Sequence, residues 1–191
     1  MRHRHSGVAA PARGVSLACV VTVDPHSSPD LLRAYFRHLP PEEVAARDDA
    51  DLRGALDSHT ALATERPQGT ARVRVLTPER ERDGWAADGR TIVETVTDDM
   101  PFLVDSVTME LNRLGHNVHA VLHPQFNVER TITGELQHVH AQEPRADREG
   151  AESWMHVEID RTDEAEAAEI TDGVQRVLRD VRESVEDWDK M

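Results

Sequence analysis

Cysteine occurs once in this 191-residue chain, at Cys19. No internal disulfide can form, and a reducing cytosol is the default compartment. Lysine is equally scarce, found only at Lys190, while arginine and alanine are abundant. That pattern matches the coding bias of a GC-rich genome, so composition gives the arginines little functional weight. Positive charge is in deficit: the formal net charge is −14. Phosphate backbones demand basic clusters, so nucleic acid is excluded as a main partner. No stretch approaches the ~20 apolar residues of a transmembrane helix, which excludes a membrane-spanning role. Arg2 and Arg4 ahead of the apolar stretch Val15 to Val23 faintly echo a signal peptide, and Ser16 to Cys19 a lipoprotein cleavage site. The stretch before Cys19 contains Pro11, Arg13 and Gly14, a poor apolar core, so a cytoplasmic location is expected. No Gly-x-Gly-x-x-Gly follows a predicted strand, and no His-Glu-x-x-His occurs, so neither a dinucleotide site nor a zincin-type metal site is legible.

Hydrophobic residues make up 38% and charged ones 30%, a balance compatible with a globular core. The length suits one domain with extensions or two small ones. The most structured run is Thr91 to Pro124. Thr91 to Thr97 is rich in β-branched residues and reads as a strand. Asp98, Asp99 and Pro101 follow, residue types that suit a helix start. Leu103, Val104, Val107, Leu111 and Leu114 recur at helical spacing, and Gly115 marks the helix end. Asn117 to His123 returns as a strand, completing a β-α-β unit.

Upstream, residues 1–29 read as an irregular or disordered tail. Residues 30–68 read as a helical lead-in: a helix over Leu31 to His38 capped by Ser28 or Asp30, one opening at Pro40-Pro41-Glu42-Glu43, and one over Asp49 to Ala63 with Leu52, Ala55, Leu56 and Leu62 as its apolar face. Residues 70–191 form the module proper. Val73 to Leu76 is a short strand, and Glu79 to Arg90 a charged loop whose Trp85 packs back onto the core. Downstream, Phe126 to Arg130 and Leu136 to His140 flank Thr133-Gly134 as a hairpin, followed by a polar excursion over Glu143 to Gly150. Trp154 to Ile159 alternates, with Trp154, His156 and Glu158 on one face and Met155, Val157 and Ile159 on the other. A long helix begins near Asp163, where Glu166 three residues on completes a capping box. Its seam is Val174, Leu178, Val181, Val185 and Trp188, and Gly173 is a candidate kink.

Val96 to Val107, VTDDMPFLVDSV, with the following TMELNRLG and the His123-Pro124 pair, resembles the N-terminal region of the large NAD-specific glutamate dehydrogenases of bacteria. The likeness extends upstream to Ala34 to His38 and Arg66 to Val75, and downstream to Glu152 to Asp160 and Val185 to Trp188. The resemblance implies an α+β fold: an ACT-like, ferredoxin-like sandwich of an antiparallel sheet with helices on one face, preceded by the helical lead-in. The family converts L-glutamate and NAD to 2-oxoglutarate, ammonia and NADH. This chain resembles only its first ACT-like module, so it is expected to carry no catalytic site and no cofactor, NAD belonging to the full-length family. Such dehydrogenases use lysines to hold substrate, and the sole lysine here lies one residue from the chain's last. The implied partners are the remaining domains and subunits of the dehydrogenase, with an amino-acid effector as a further candidate.

ACT modules place an effector loop where this chain has Asp98, Asp99, Met100, Pro101 and Phe102, which are therefore the candidate effector-binding residues. No glycine opens that turn to a carboxylate, but the two acids suit an amino group. The competing and commoner use is capping, of the helix by Asp99 and of the strand end by Asp98. The C-terminal seam divides: its first half is expected to pack locally, and Val181, Val185 and Trp188 are candidate interface residues. His119, His123, His138, His140 and His156 lie on strands, but a four-residue strand gap spans ~13 Å, too far for His119 and His123 to share one ion. Surface or interface histidines without a metal are the expected reading, and the alternative functions are a free-standing amino-acid sensor of the same fold and a His-rich metal-binding protein.

Overall fold

The computed structural model describes residues 29–142 and 150–188. In chain order the elements are α1 (Pro29–Tyr35), α2 (Pro41–Ala45), α3 (Asp49–Ala63), β1 (Arg72–Leu76), α4 (Arg80–Asp83), β2 (Thr91–Asp98), α5 (Leu103–Arg113), β3 (Val118–Leu122), β4 (Gln125–Arg130), β5 (Leu136–His140), β6 (Ala151–Ile159) and α6 (Glu164–Trp188). The expected tail with Cys19, most of the excursion over Glu143 to Gly150, and Lys190 lie outside the described residues.

The strand order is β1-β2-β6-β4-β5, and β3 also pairs with β6. Every pairing is antiparallel. Strand β6 takes two partners end to end on one edge. Its C-terminal half faces β3, from Val118↔Ile159 to Leu122↔His156, and its N-terminal half faces β4, from Gln125↔Ser153 to Asn127↔Ala151. Pro124 sits at the joint, where a missing N–H interrupts no ladder. Its carbonyl still accepts from the Trp154 N–H at 3.0 Å. The succession β2-α5-β3/β4-β6-α6 follows the ferredoxin-like plan. The strand flanking β2 is supplied by β1, which precedes the unit in sequence, and α6 packs across it.

The sheet is covered on both sides. Helices α5 and α6 close one face over Val93, Met155, Val157 and Ile159, burying Leu103, Val107, Leu111, Ile170, Val174 and Leu178. The α+β sandwich implied by the resemblance is this half. The lead-in, whose position the sequence leaves open, folds onto the opposite face, where Tyr35, Phe36, Leu52 and Leu56 meet Ile92, Val96, Phe126 and Trp154. Trp85 belongs to that layer and lies so close to α3 that a Cβ on Gly54 would come within 2.2 Å of its ring.

Local signals explain most boundaries. Asp163 and Glu166 exchange side-chain-to-backbone bonds of 2.9 Å each, a capping box at the start of α6. Gly115 adopts φ +88° past the end of α5, and the His116 N–H reaches back to the Leu111 carbonyl at 3.1 Å. Helix α6 runs unbroken through Gly173, whose lack of a side chain admits Glu110: a Cβ there would meet Glu110 Oε1 at 2.5 Å. Some boundaries differ from expectation, and β6 begins at Ala151, ahead of Trp154. Helix α1 ends at Tyr35, and the supposed loop over Glu79 to Arg90 contains the short turn α4.

Candidate functional site

The expected helix cap at Asp99 is not formed. Helix α5 opens at Leu103, with Phe102 as its N-cap at φ 70°, ψ 0°, and no side chain caps it. Asp98 is instead the last residue of β2, and arginines hold both its oxygens. Arg66 donates to Oδ1 at 2.8 Å, and Arg182 of α6 approaches Oδ2 at 2.7 Å. Burial pushes this carboxyl up, but the two guanidiniums outweigh burial and hold it below the usual carboxylate range. Asp99 is exposed, and its backbone N–H bonds Ala151 O at 2.9 Å. Met100 is half-buried against the α5/α6 layer, Pro101 is exposed, and Phe102 is 68% exposed. Of the five candidate effector residues, Asp98 is thus committed to a salt-bridge network, and Asp99 presents the nearest accessible carboxylate.

That network reaches inward. Arg66, itself buried, also grips the buried Glu152 through Nε at 3.0 Å and Nη2 at 2.6 Å. Arg130 completes the pair, donating to Glu152 at 2.6 and 2.9 Å. At the opposite end of β6, Arg90 holds Glu158 at 2.6 Å and Arg47 binds its other oxygen. Burial favours protonation of Glu158, yet His156 and Arg47 bring its carboxyl far below the normal range.

Between these ends lies a buried polar cluster. The Tyr35 hydroxyl bonds His59 Nδ1 at 2.8 Å and His156 Nδ1 at 3.1 Å, while His59 Nε2 bonds Thr95 O at 3.1 Å. Glu94 faces His156 across β2 and β6, and Arg74 occupies its Oε2 at 2.6 Å. Glu94 Oε1 and His156 Nε2 are buried with no hydrogen-bond partner. Burial drives the His59 pKa down to about 4 and the Tyr35 pKa well above its ordinary value. The sequence placed His156 on a strand face but offered no sign of His59, which sits on the apolar side of α3 among alanines and leucines. The other strand histidines are separate: His119 pairs with Asp160 at 2.6 Å, His123 with Ser153 Oγ at 2.7 Å, and His140 with Glu129 at 2.9 Å.

The helical layer carries the largest exposed apolar groups among the described residues besides Ile132. A cleft of about 540 Å³ runs between α5 and α6, lined by Phe102, Met109, Val177 and Val181 with Glu110 and Arg113 at its rim. Met109 is 70% exposed and Trp188, at the end of α6, 76% exposed. Of the candidate interface residues, Val181 is buried and lines the cleft, Val185 is half-buried, and Trp188 stands free of the core.

An antiparallel sheet backed by two helices defines an ACT-like module. Residues 31–174 match the family described as "Glutamate dehydrogenase, ACT1 domain", and the chain belongs to that family. It is similar to the NAD-specific glutamate dehydrogenase of Halomonas elongata, 38% identical over 158 residues, which are 82% of this chain and 10% of the relative. The enzymes of the same name from Pseudomonas aeruginosa (34% identical, 82% of this chain, 10% of the relative) and Mycobacterium tuberculosis (34%, 66% and 8%) are also similar. The chain therefore spans about a tenth of the length of the curated relatives it matches.

Proposed function

We propose that this chain acts as the N-terminal regulatory and assembly module of a large NAD-specific glutamate dehydrogenase, without a catalytic site or cofactor of its own. In that reading the longer polypeptide oxidises L-glutamate to 2-oxoglutarate and ammonia with NAD in the cytoplasm, and this module docks onto its remaining domains. The observation that carries the reading is the apolar cleft between α5 and α6, with Phe102, Met109 and Trp188 projecting into solvent. Large apolar groups gathered on one face mark interaction surfaces. The occupant is a later segment of the same longer polypeptide, since the similar dehydrogenases are some ten times longer than their match to this chain. We further treat the lead-in over 30–68 as integral to the 70–191 module, because its helices cover one face of the sheet. Assembly is favoured over amino-acid sensing because Asp98, the better-placed acid, already serves Arg66 and Arg182.

The test mixes the purified chain with the Halomonas elongata dehydrogenase lacking its matching tenth and follows complex formation by sedimentation velocity. A complex that disappears with Met109→Asp supports docking through this face. Failure to associate, or association indifferent to Met109→Asp, refutes it. A parallel thermal-shift panel of amino acids separates the sensor alternative. A rise in melting temperature with one amino acid, abolished by Asp99→Asn, would make residues 98–102 an effector site.

A further inference from the structure

The geometry points to a buried metal site that joins the lead-in to the sheet: we propose that His59, His156, Glu94 and Tyr35 bind one Zn²⁺-class ion. One nitrogen from each imidazole and one carboxylate oxygen of Glu94 lie within 4.8 Å of one another, all from fully buried residues. The Tyr35 hydroxyl touches both rings, at 2.8 and 3.1 Å. Tetrahedral Zn²⁺ with bonds of ~2.0–2.1 Å sets its ligands ~3.3 Å apart, so the widest pair closes by about 1.5 Å on binding.

Three further features suit an ion. Glu94 Oε1 and His156 Nε2 have no hydrogen-bond partner although buried, a costly arrangement that coordination to Glu94 partly relieves. His59 Nε2 donates to Thr95 O, which fixes the tautomer that leaves Nδ1 a free lone pair toward the cluster. Arg74 steadies the non-coordinating oxygen of Glu94. As the Tyr35 oxygen bonds the ion, its hydroxyl proton leaves to solvent, and two anionic ligands then neutralise the divalent ion beside two neutral imidazoles. Arg47 and Arg90, which hold Glu158, and Arg74, which holds Glu94, lie nearer the surface, where solvent screens their charge. The strand histidines alone suggest no metal, because the decisive ligand, His59, comes from α3.

The ligands come from α1, α3, β2 and β6, so the ion would clamp α1 and α3 onto the sheet and couple metal binding to folding. The experiment uses the full 191-residue chain, made metal-free and titrated with Zn²⁺ and with Co²⁺ as a spectroscopic probe. The expected result is one equivalent bound, a melting temperature raised by Zn²⁺ and restored by EDTA, visible Co²⁺ absorption, and a tyrosinate difference band. Tyr35→Phe, which keeps the ring in the core, should abolish the tyrosinate band and weaken binding at least about tenfold. Glu94→Gln should weaken binding to a similar degree while keeping the tyrosinate band at saturating Zn²⁺. The surface double variant His119→Ala/His140→Ala should bind like the parent. Absence of stoichiometric binding, binding undiminished by Tyr35→Phe, or binding lost in the surface double variant would each overturn the site and leave Tyr35, His59 and His156 as a hydrogen-bonded core relay.

Discussion

Acidification should loosen the lead-in from the sheet before the carboxylates titrate, and His59 sets the window. Its ring is fully buried, stacked on Trp154 with centroids 5.4 Å apart, and its pKa is lowered from 6.5 to about 4. The cause is first desolvation. Glu94 and the Thr95 carbonyl favour the charged ring, His156 and Arg74 oppose it, and burial prevails. The unfolded chain binds this proton near pH 6.5 and the folded chain only near pH 4, so between those values the folded state binds fewer protons. Stability therefore rises with pH across the window, is fully present above it, and is lost as pH falls toward 4. The shift corresponds to about 3 kcal/mol in total, of which about 2 kcal/mol is lost by pH 5. Glu152 and Glu158, whose carboxyls are held low by their arginines, begin to contribute losses only as pH falls through their ordinary value of 4.5, at the acid end of that window. His123, half-buried and also lowered by desolvation, adds a smaller effect of the same sign. The assay is urea unfolding followed by tryptophan fluorescence from pH 7.5 to 4.5, in EDTA so that metal release does not contribute. Asparagine variants of His59 and His123 separate the two rings. The parent should lose about 2 kcal/mol between pH 7.5 and 5, and His59→Asn should flatten most of that slope. A parent whose stability is level from pH 7.5 to 5 would refute the reasoning.

Three substitutions test the packing. Gly54→Ala drives a Cβ within 2.2–2.6 Å of Trp85, a bulky ring wedged against the core. It should cost about 1–3 kcal/mol in urea unfolding, and an unchanged midpoint would show that Trp85 moves freely. Arg66→Met removes the guanidinium that Asp98 and Glu152 share. Arg182 and Arg130 still serve those acids. The loss should sit near the lower end of the range for breaking a buried pair, about 3 kcal/mol, and a loss under 1 kcal/mol would place the network among the ornamental ion pairs. Phe102→Gly releases a non-glycine residue from φ 70° while surrendering little buried surface, so thermal unfolding should show a gain of about 1 kcal/mol. A loss of stability would mean that the ring packs on α6 more firmly than its exposure implies. If docking uses this ring, the same variant should bind its partner more weakly while melting higher.

The strands and helices of the β-α-β core were legible because each carries its own local signal. Periodicity marks α5, Gly115 closes it, and the Asp163–Glu166 box opens α6. The acidic turn was harder, since Asp98-Asp99-Met100-Pro101 carries every local mark of a helix start. What defeats those marks is remote: Arg66 and Arg182 draw Asp98 into the end of β2, and the helix then begins at Leu103 without a cap. Metal-type geometry was hidden for the same reason, because His59 looks like one polar interruption on an apolar helix until α3 is laid across β2 and β6.

The alternation of β6 shows most plainly how such readings fail. Trp154, His156 and Glu158 do share one face and Met155, Val157 and Ile159 the other, and polar–apolar alternation ordinarily means one solvated face. Both faces are buried here. Covering Glu152, His156 and Glu158 with α1 and α3 is tolerable only because cations arrive from elsewhere. Arg66 and Arg130 reach Glu152 from 86 and 22 residues away, and Arg47 and Arg90 reach Glu158 from 111 and 68. Composition assigns the arginine excess over lysine to codon bias, and that assignment passes over what guanidinium does better than ammonium. Its planar fork meets two acceptors at once and is more weakly hydrated, so it follows a carboxylate into a core at lower cost. Arg66 shows this directly: Nε and Nη2 both hold Glu152, Nη2 also meets Asp98, and Nη1 donates to Thr70 O at 2.9 Å. Replacing Arg66 with lysine should therefore cost nearly as much stability as replacing it with methionine, because a single ammonium cannot span both acids and Thr70 O. Recovery of wild-type stability in Arg66→Lys would show instead that charge alone holds the lead-in to the sheet.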